Sequence, residues 1–243
     1  MIYILSMAPL KNWDNKTWLS SQRYILSFNR FILKQIKLDR NSRILVIGCG
    51  RGKIISNLSN KLKLYNKPIG LDIENHKNKS KGILFKKSDG LSFVLKTKIT
   101  FDLILIKQTI HLLKKSQIKT LLTICKNKLN PKGKILILSL DPKRNEIPTF
   151  SLMKKKLQQS LKRDQILFQL IKIYNPNLTI KKFIFYVKIS KNKYLQMIKN
   201  RYISTLLNFT EKQIKNGLNE INVKYKKKLN FKDQLICLII KNN

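Results

Sequence analysis

The sequence predicts an α/β fold built on a mostly parallel sheet, and three observations carry that reading. Short apolar runs alternate with helical periodicity from about residue 43 to residue 140, the pattern of strands joined by crossover helices. Three glycines, Gly48, Gly50 and Gly52, follow directly on the first apolar run. After Leu140 the pattern changes to longer helices and two further strands, with no Gly/Ser linker between the two parts. The later part is therefore expected to complete the first domain.

Each element has its own signal. Residues 17–37 place Trp18, Ile25, Phe28, Ile32 and Ile36 at helical spacing, behind the capping candidates Asp14 and Asn15. Residues 43–47 form an apolar run that ends at Gly48, hence a buried strand. A helix over 53–62 follows, then strands over 68–72, 83–85 and 101–106. Residues 114–129 read as a helix, Asn130-Pro131-Lys132-Gly133 as a turn, and 134–140 as the fifth strand. Residues 150–174 are helical up to Asn175-Pro176, and 182–190 alternate as a strand. Ser190 and Thr210 are placed as helix N-caps, and Thr210-Glu-Lys-Gln213 fits a capping box for a helix to about residue 225. Residues 235–240 make the last strand. The resulting organisation is an N-terminal helical segment (1–40), a ligand-binding core (41–141), and a helical cap with the last two strands (142–243).

Composition limits the function classes. Hydrophobic residues are 43% and charged residues 26% of 243, ordinary for a folded soluble chain and against disorder. Cys49, Cys125 and Cys237 are far apart and form no CxxC pair, so neither a disulfide framework nor a metal site is expected. No run reaches the length of a membrane span, and the N-terminus lacks a basic leader and cleavage site. A cytoplasmic protein without a membrane partner is the expectation. The net charge is +39. Lysine carries it, with 43 Lys against 8 Arg, beside 34 Ile and 23 Asn. These three residues have codons of A and T alone, whereas every Asp and Glu codon needs a G. The charge thus reads as nucleotide bias spread along the chain, with weak, salt-sensitive adsorption to nucleic acid as its consequence.

The chemistry concentrates in Ile44-Leu-Val-Ile-Gly48-Cys49-Gly50-Arg-Gly52. Alternate glycines after a buried strand let the backbone turn sharply and approach a ligand, with a helix N-terminus behind them. A dinucleotide loop wants GxGxxG, but Lys53 occupies the third glycine position; the spacing GxGxG is the form associated with S-adenosylmethionine. Asp72 closes the second strand, where an acid can hold ribose hydroxyls. Asp89 follows the third strand, placed to meet an adenine edge.

Residues 40–140 resemble the class I S-adenosylmethionine-dependent methyltransferases. The resemblance rests on Ile44–Gly52, Ile69-Gly-Leu-Asp72, Ser88-Asp89, the stretch from Phe101 to His111, and Leu129-Asn-Pro-Lys-Gly-Lys-Ile-Leu136. It implies a Rossmann-like sheet of seven strands, the last antiparallel, with helices on both faces. It also implies a methyltransferase with S-adenosylmethionine as cofactor. By resemblance Gly48, Gly50 and Gly52 hold the methionine part, Asp72 the ribose and Asp89 the adenine. Cys49, Ile73, Gly90 and Lys107 join them in the same cofactor site. The C-terminal pattern around Arg201-Tyr202 and Thr210 looks like the small-molecule branch, methyltransferase type 11, similar to trans-aconitate methyltransferase. The family usually has an acid where this chain has Val46, next to the cofactor's ammonium group.

Substrate contacts are expected at the tip of the fourth strand. Lys107 and His111 are the catalytic candidates there, His111 as a base or a donor that orients the acceptor, against a plain polar cap on the following helix. Arg201, Tyr202 and Trp18 are the substrate-binding candidates, and Trp13 and Trp18 are also candidates to line the cofactor mouth; a structural or core role is the alternative for each. His76 lies in a polar loop and reads as solvated. The acceptor expected is a small molecule bearing a carboxylate or hydroxyl. An RNA or protein methyltransferase is the main alternative, and a non-catalytic binding protein the third. The fourth strand ends Ile106-Lys107-Gln108-Thr109, without the Asn/Asp-Pro-Pro-Tyr/Phe turn of adenine-methylating relatives. The sequence leaves the oligomeric state open.

Overall fold

A computed structural model describes residues 16–242; Trp13, Asp14 and Asn15 lie outside them. A 3-10 turn, Trp18–Ser20, leads into α1 (Gln22–Gln35). The cap is Ser21, whose side chain accepts the Tyr24 amide and so satisfies one of the free N–H groups of the first turn. Tyr24, Ile25, Phe28 and Ile32 form the buried stripe of α1.

Seven strands make one sheet in the order β3-β2-β1-β4-β5-β7-β6. They are β1 (Ile44–Ile47), β2 (Ile69–Asp72), β3 (Leu84–Lys87), β4 (Phe101–Lys107), β5 (Leu129–Leu140), β6 (Thr179–Ser190) and β7 (Lys228–Lys241). The first five are parallel, and β7 runs antiparallel to both β5 and β6. Strand order reverses between β1 and β4, where a crevice opens beyond the strand ends. The intervening helices are α2 (Lys53–Leu62), α3 (Gly90–Lys96), α4 (Lys115–Asn127), α5 (Ser151–Tyr174), α6 (Lys191–Lys199) and α7 (Glu211–Lys224). Each face of the sheet buries its own apolar cluster. One holds Tyr24, Phe28, Val46, Leu105 and Leu138; the other holds Leu45, Ile47, Ile104, Ile106 and Ile137. Alternate residues of each central strand thus pack to opposite sides.

Several elements differ from their sequence signals for physical reasons. The turn expected at residues 130–133 lies inside β5, because Phe101 pairs with Leu129 before a register shift and Leu103 pairs with Lys134 after it. Lys132 takes a positive φ of 66° there. β7 is far longer than its apolar run, since residues 228–234 pair with β6 alone, 235–239 with both neighbours, and 240–241 with β5 alone. α3 was not expected; its seven residues are too few to show a period. Ser190 caps α6, and Thr210 with Gln213 forms the reciprocal box that opens α7. No helix among the described residues is long and apolar enough to cross a membrane.

Candidate functional site

The glycine loop bridges β1 and α2. Gly48, Gly50 and Gly52 have φ of 71°, 54° and 71°, a region that side chains rarely adopt. Gly48 and Cys49 both donate their amides to the Leu71 carbonyl, at 2.9 and 2.8 Å, which presses the loop onto β2. A Cβ on Gly48 would stand 2.0 Å from Thr109 Oγ1. The loop can therefore close over the end of β4 only with glycine at that position.

Asp72 ends β2 beneath this loop. Its Oδ2 accepts the Gly50 amide at 2.8 Å, and its Oδ1 accepts the Glu74 amide at 3.0 Å. His76 Nε2 lies 3.3 Å from Oδ1. Burial pushes the Asp72 carboxyl upward, but His76 and the two backbone donors outweigh it and hold it below the usual carboxylate range. The carboxylate is ionised and keeps acceptor capacity beyond the bonds it makes. His76 is not solvated as its loop suggested. It is 5% exposed, because the loop folds back and places the ring on the carboxylate four residues earlier.

Asp89 caps α3, its Oδ1 accepting the Ser92 amide at 2.9 Å. Gly90 begins that helix so close to β1 that a Cβ would meet Ile47 Cγ2 at 2.6 Å. Ile73, next to Asp72, is 63% exposed, an apolar surface open to a ligand face.

The cleft beside the loop is lined, among the described residues, by Leu19, Val46, residues 48–55, Leu105 and Lys107. Val46 and Leu105 are register partners and form its apolar floor. Lys107 ends β4, its ammonium 5.5 Å from the ring centroids of both Tyr24 and Phe28. Asp233 of β7, 2% exposed, accepts the Trp18 indole N–H through Oδ2 at 3.0 Å. Burial raises the Asp233 carboxyl, against the Trp18 hydrogen bond, the Lys107 charge and the Tyr24 hydroxyl. Burial likewise raises the Tyr24 hydroxyl, and the Asp233 charge adds to it.

Trp18 and Tyr202, expected near substrate, meet in this cluster with ring centroids 5.3 Å apart. The Tyr202 hydroxyl is 3.0 Å from that of Tyr194, and Trp18 also packs edge-on against Phe231 at 5.2 Å. Arg201 is engaged within its own loop. Its Nη1 donates to the Leu206 carbonyl at 2.7 Å, and its Nη2 pairs with Glu211 at 2.6 Å. That bracing fixes the loop before α7, so its guanidinium fork is spent on structure.

His111 sits in the 3-10 turn Ile110–Leu112. Its Nδ1 is buried without a hydrogen-bond partner. Burial lowers its pKa; the Asp164 charge raises it and the Arg163 charge lowers it. Lys107 packs on α1, whereas the charges that act on His111, Asp164 and Arg163, belong to α5. His111 is not among the residues that line the cleft.

Sequence reasoning missed Asp233, Tyr24 and Tyr194. One signal was present for the first: an acid in a strand whose alternate residues Leu229 and Phe231 are apolar, in a chain with only 12 acids. Among the described residues no group of three His, Cys, Asp or Glu is placed to hold a metal ion.

No protein-family model and no curated protein matches the chain. Solved structures match it in fold. A protein of Anabaena variabilis described as a methyltransferase of antibiotic biosynthesis superposes with a TM-score of 0.63 at 13% identity, over 87% of this chain and 96% of that one. The plantazolicin methyltransferase BpumL, in complex with S-adenosylhomocysteine, gives 0.53 at 18% identity, over 96% and 88%. The N-methyltransferase NodS of Bradyrhizobium japonicum, with the same compound, gives 0.50 at 14%, over 94% and 92%. With the strand order, these likenesses establish the class I methyltransferase fold.

Proposed function

We propose that this chain is an S-adenosylmethionine-dependent methyltransferase acting on a small-molecule acceptor. The observation that carries the reading is Asp72, an ionised carboxylate locked under the glycine loop by the Gly50 amide. It ends β2, the strand beside β1, where an acid can hold a ribose by its hydroxyls. BpumL and NodS, solved with S-adenosylhomocysteine, support the same cofactor.

The residues present fit that cofactor. Asp72 is oriented before any ligand arrives, Ile73 offers an apolar face, and Asp89 and Gly90 begin a helix at the next strand end. Residues 48–52, Cys49 among them, would cradle the amino-acid end, beside Lys107. When bound, S-adenosylmethionine supplies a methyl group already activated on sulfur, so alignment contributes most of the catalysis. A carboxylate acceptor needs no base. For a hydroxyl or amine, His111 is the candidate proton acceptor, because its lowered pKa keeps the ring neutral at neutral pH. In this reading residues 41–141 hold the cofactor, and the part from 142 onward supplies Tyr202 to the acceptor side, with Trp18 from the N-terminal segment. The sequence pattern around Arg201-Tyr202 resembles methyltransferase type 11, of the trans-aconitate kind.

Titration calorimetry with S-adenosylhomocysteine tests the cofactor, with binding expected in the micromolar range, about 8 kcal/mol. Transfer of labelled methyl to a metabolite extract and to total RNA then tests the acceptor class. Label on one RNA position in stoichiometric amount, and none on metabolites, overturns the small-molecule reading.

A further inference from the structure

Asp72 meets a ligand with most of its acceptor capacity already taken. An ionised carboxylate offers about four acceptor positions, about two on each oxygen. Oδ2 accepts the Gly50 amide at 2.8 Å, and Oδ1 accepts the Glu74 amide at 3.0 Å. His76 Nε2 stands beside Oδ1 as well, at 3.3 Å. A hydroxyl donating to a carboxylate must bring its own oxygen within about 2.5–3.0 Å. With the Glu74 amide on one side of Oδ1 and the imidazole on the other, that space is filled.

The groups that fill it are held by the fold. The two amides belong to the backbone, one in the glycine loop and one in the bend after β2. The His76 side chain is 3% exposed and that of Asp72 14%, so the ring is packed in place while part of the carboxylate stays open. Oδ2, with a single donor, keeps a position for one more. We propose that Asp72 reads one ribose hydroxyl, through Oδ2, and that His76 is the positioning residue that closes Oδ1 to the other. The hydroxyl that reaches Oδ2 makes a charge-assisted bond. The second keeps water as its partner, and its removal costs little. The inference rests on the cofactor reading given above and narrows it to one hydroxyl.

Calorimetry on the wild-type protein compares S-adenosylhomocysteine with its 2′-deoxy and 3′-deoxy analogues. One analogue is expected to bind at least about tenfold more weakly, equivalent to about 1.4 kcal/mol, and the other within about threefold of the parent. His76→Ala empties the space beside Oδ1, so the deletion that wild type tolerates should then cost about tenfold as well. His76→Gln, which can return an N–H to that space, should keep the wild-type pattern. Circular dichroism establishes folding of both variants, and the wild-type ratios decide the single hydroxyl without them. A merely structural role for His76 would lower affinity for all three ligands alike and leave their ratios unmoved. Unmoved ratios in folded His76→Ala therefore overturn the proposal and leave the cofactor reading standing. So do wild-type penalties of about tenfold or more for both deletions, or below about threefold for both. Absence of S-adenosylhomocysteine binding at millimolar concentration removes the cofactor reading and this inference with it.

Discussion

Trp18 and Asp233 are 215 positions apart, and the indole N–H of one donates to the carboxylate of the other over 3.0 Å, out of contact with water. The bond clips the N-terminal segment to the last strand. It gives a donor to a carboxylate that burial would otherwise leave expensive.

Trp18→Phe keeps an aromatic ring against Tyr202 and Phe231 but removes that donor. The unfolding free energy should fall by about 1.5–3 kcal/mol, the usual cost of losing a hydrogen bond to a buried charge. Adding Asp233→Asn should recover part of the loss, since a neutral amide is cheaper to bury. A urea midpoint unmoved by Trp18→Phe would show that the bond contributes nothing in solution.

Asp72→Asn should weaken S-adenosylhomocysteine binding by about 1.5–3 kcal/mol, because a charged acceptor becomes a neutral one. The variant also changes the acid limb of stability. The Asp72 pKa in the folded protein lies below its unfolded value. Its stabilising contribution is therefore full above about pH 4 and lost as pH falls through the folded pKa. Wild type should lose stability in that window more steeply than Asp72→Asn. Parallel curves would remove the reading of Asp72 as a strongly held carboxylate.

His111 has the opposite proton balance for its type. Burial holds its folded pKa below the ordinary 6.5, so the unfolded chain takes up its proton first as pH falls. Stability from this group is lost below about pH 6.5 and levels off below the folded pKa. Chemical denaturation between pH 8 and pH 4 should show that loss in wild type and not in His111→Gln. If the acceptor carries a hydroxyl or amine, methyl transfer should fall at lower pH, as pH drops through the folded pKa of His111. An imidazole that titrates by NMR at or above 6.5 contradicts both expectations.

The +39 charge should act through phosphate neutralisation alone. RNA affinity is expected to fall by orders of magnitude between about 50 and 200 mM salt, with no preference among structured RNAs. Discrimination that survives physiological salt would instead mean base or shape contacts selected for RNA.

Much of the fold was legible because its signals are local. The GxGxG spacing, the apolar runs of β1 and β4, and the capping box at Thr210 each specify a backbone geometry within a few residues. Asp72 was legible for the same reason, standing at the end of an apolar strand with its place fixed by the strand alone. The boundaries of β5 and β7 were not, because their extra residues pair with partners the local pattern does not contain. Phe101 and Leu129 meet before a register shift, and residues 228–234 pair with β6 alone.

The sequence by itself determined the fold class, the glycine loop and the acid beneath it. Tertiary structure decided which side chains share a charge. A polar loop gave no sign that His76 turns back onto Asp72, nor did a lone scarce arginine show that Arg201 braces Leu206 and Glu211. Asp233 acquires its role only when β7 inserts between β5 and β6 and brings it to the Trp18 indole. The periodicity of a strand fixes which face a residue takes. What stands opposite that face depends on the order in which strands pair, and that order is a property of the whole sheet.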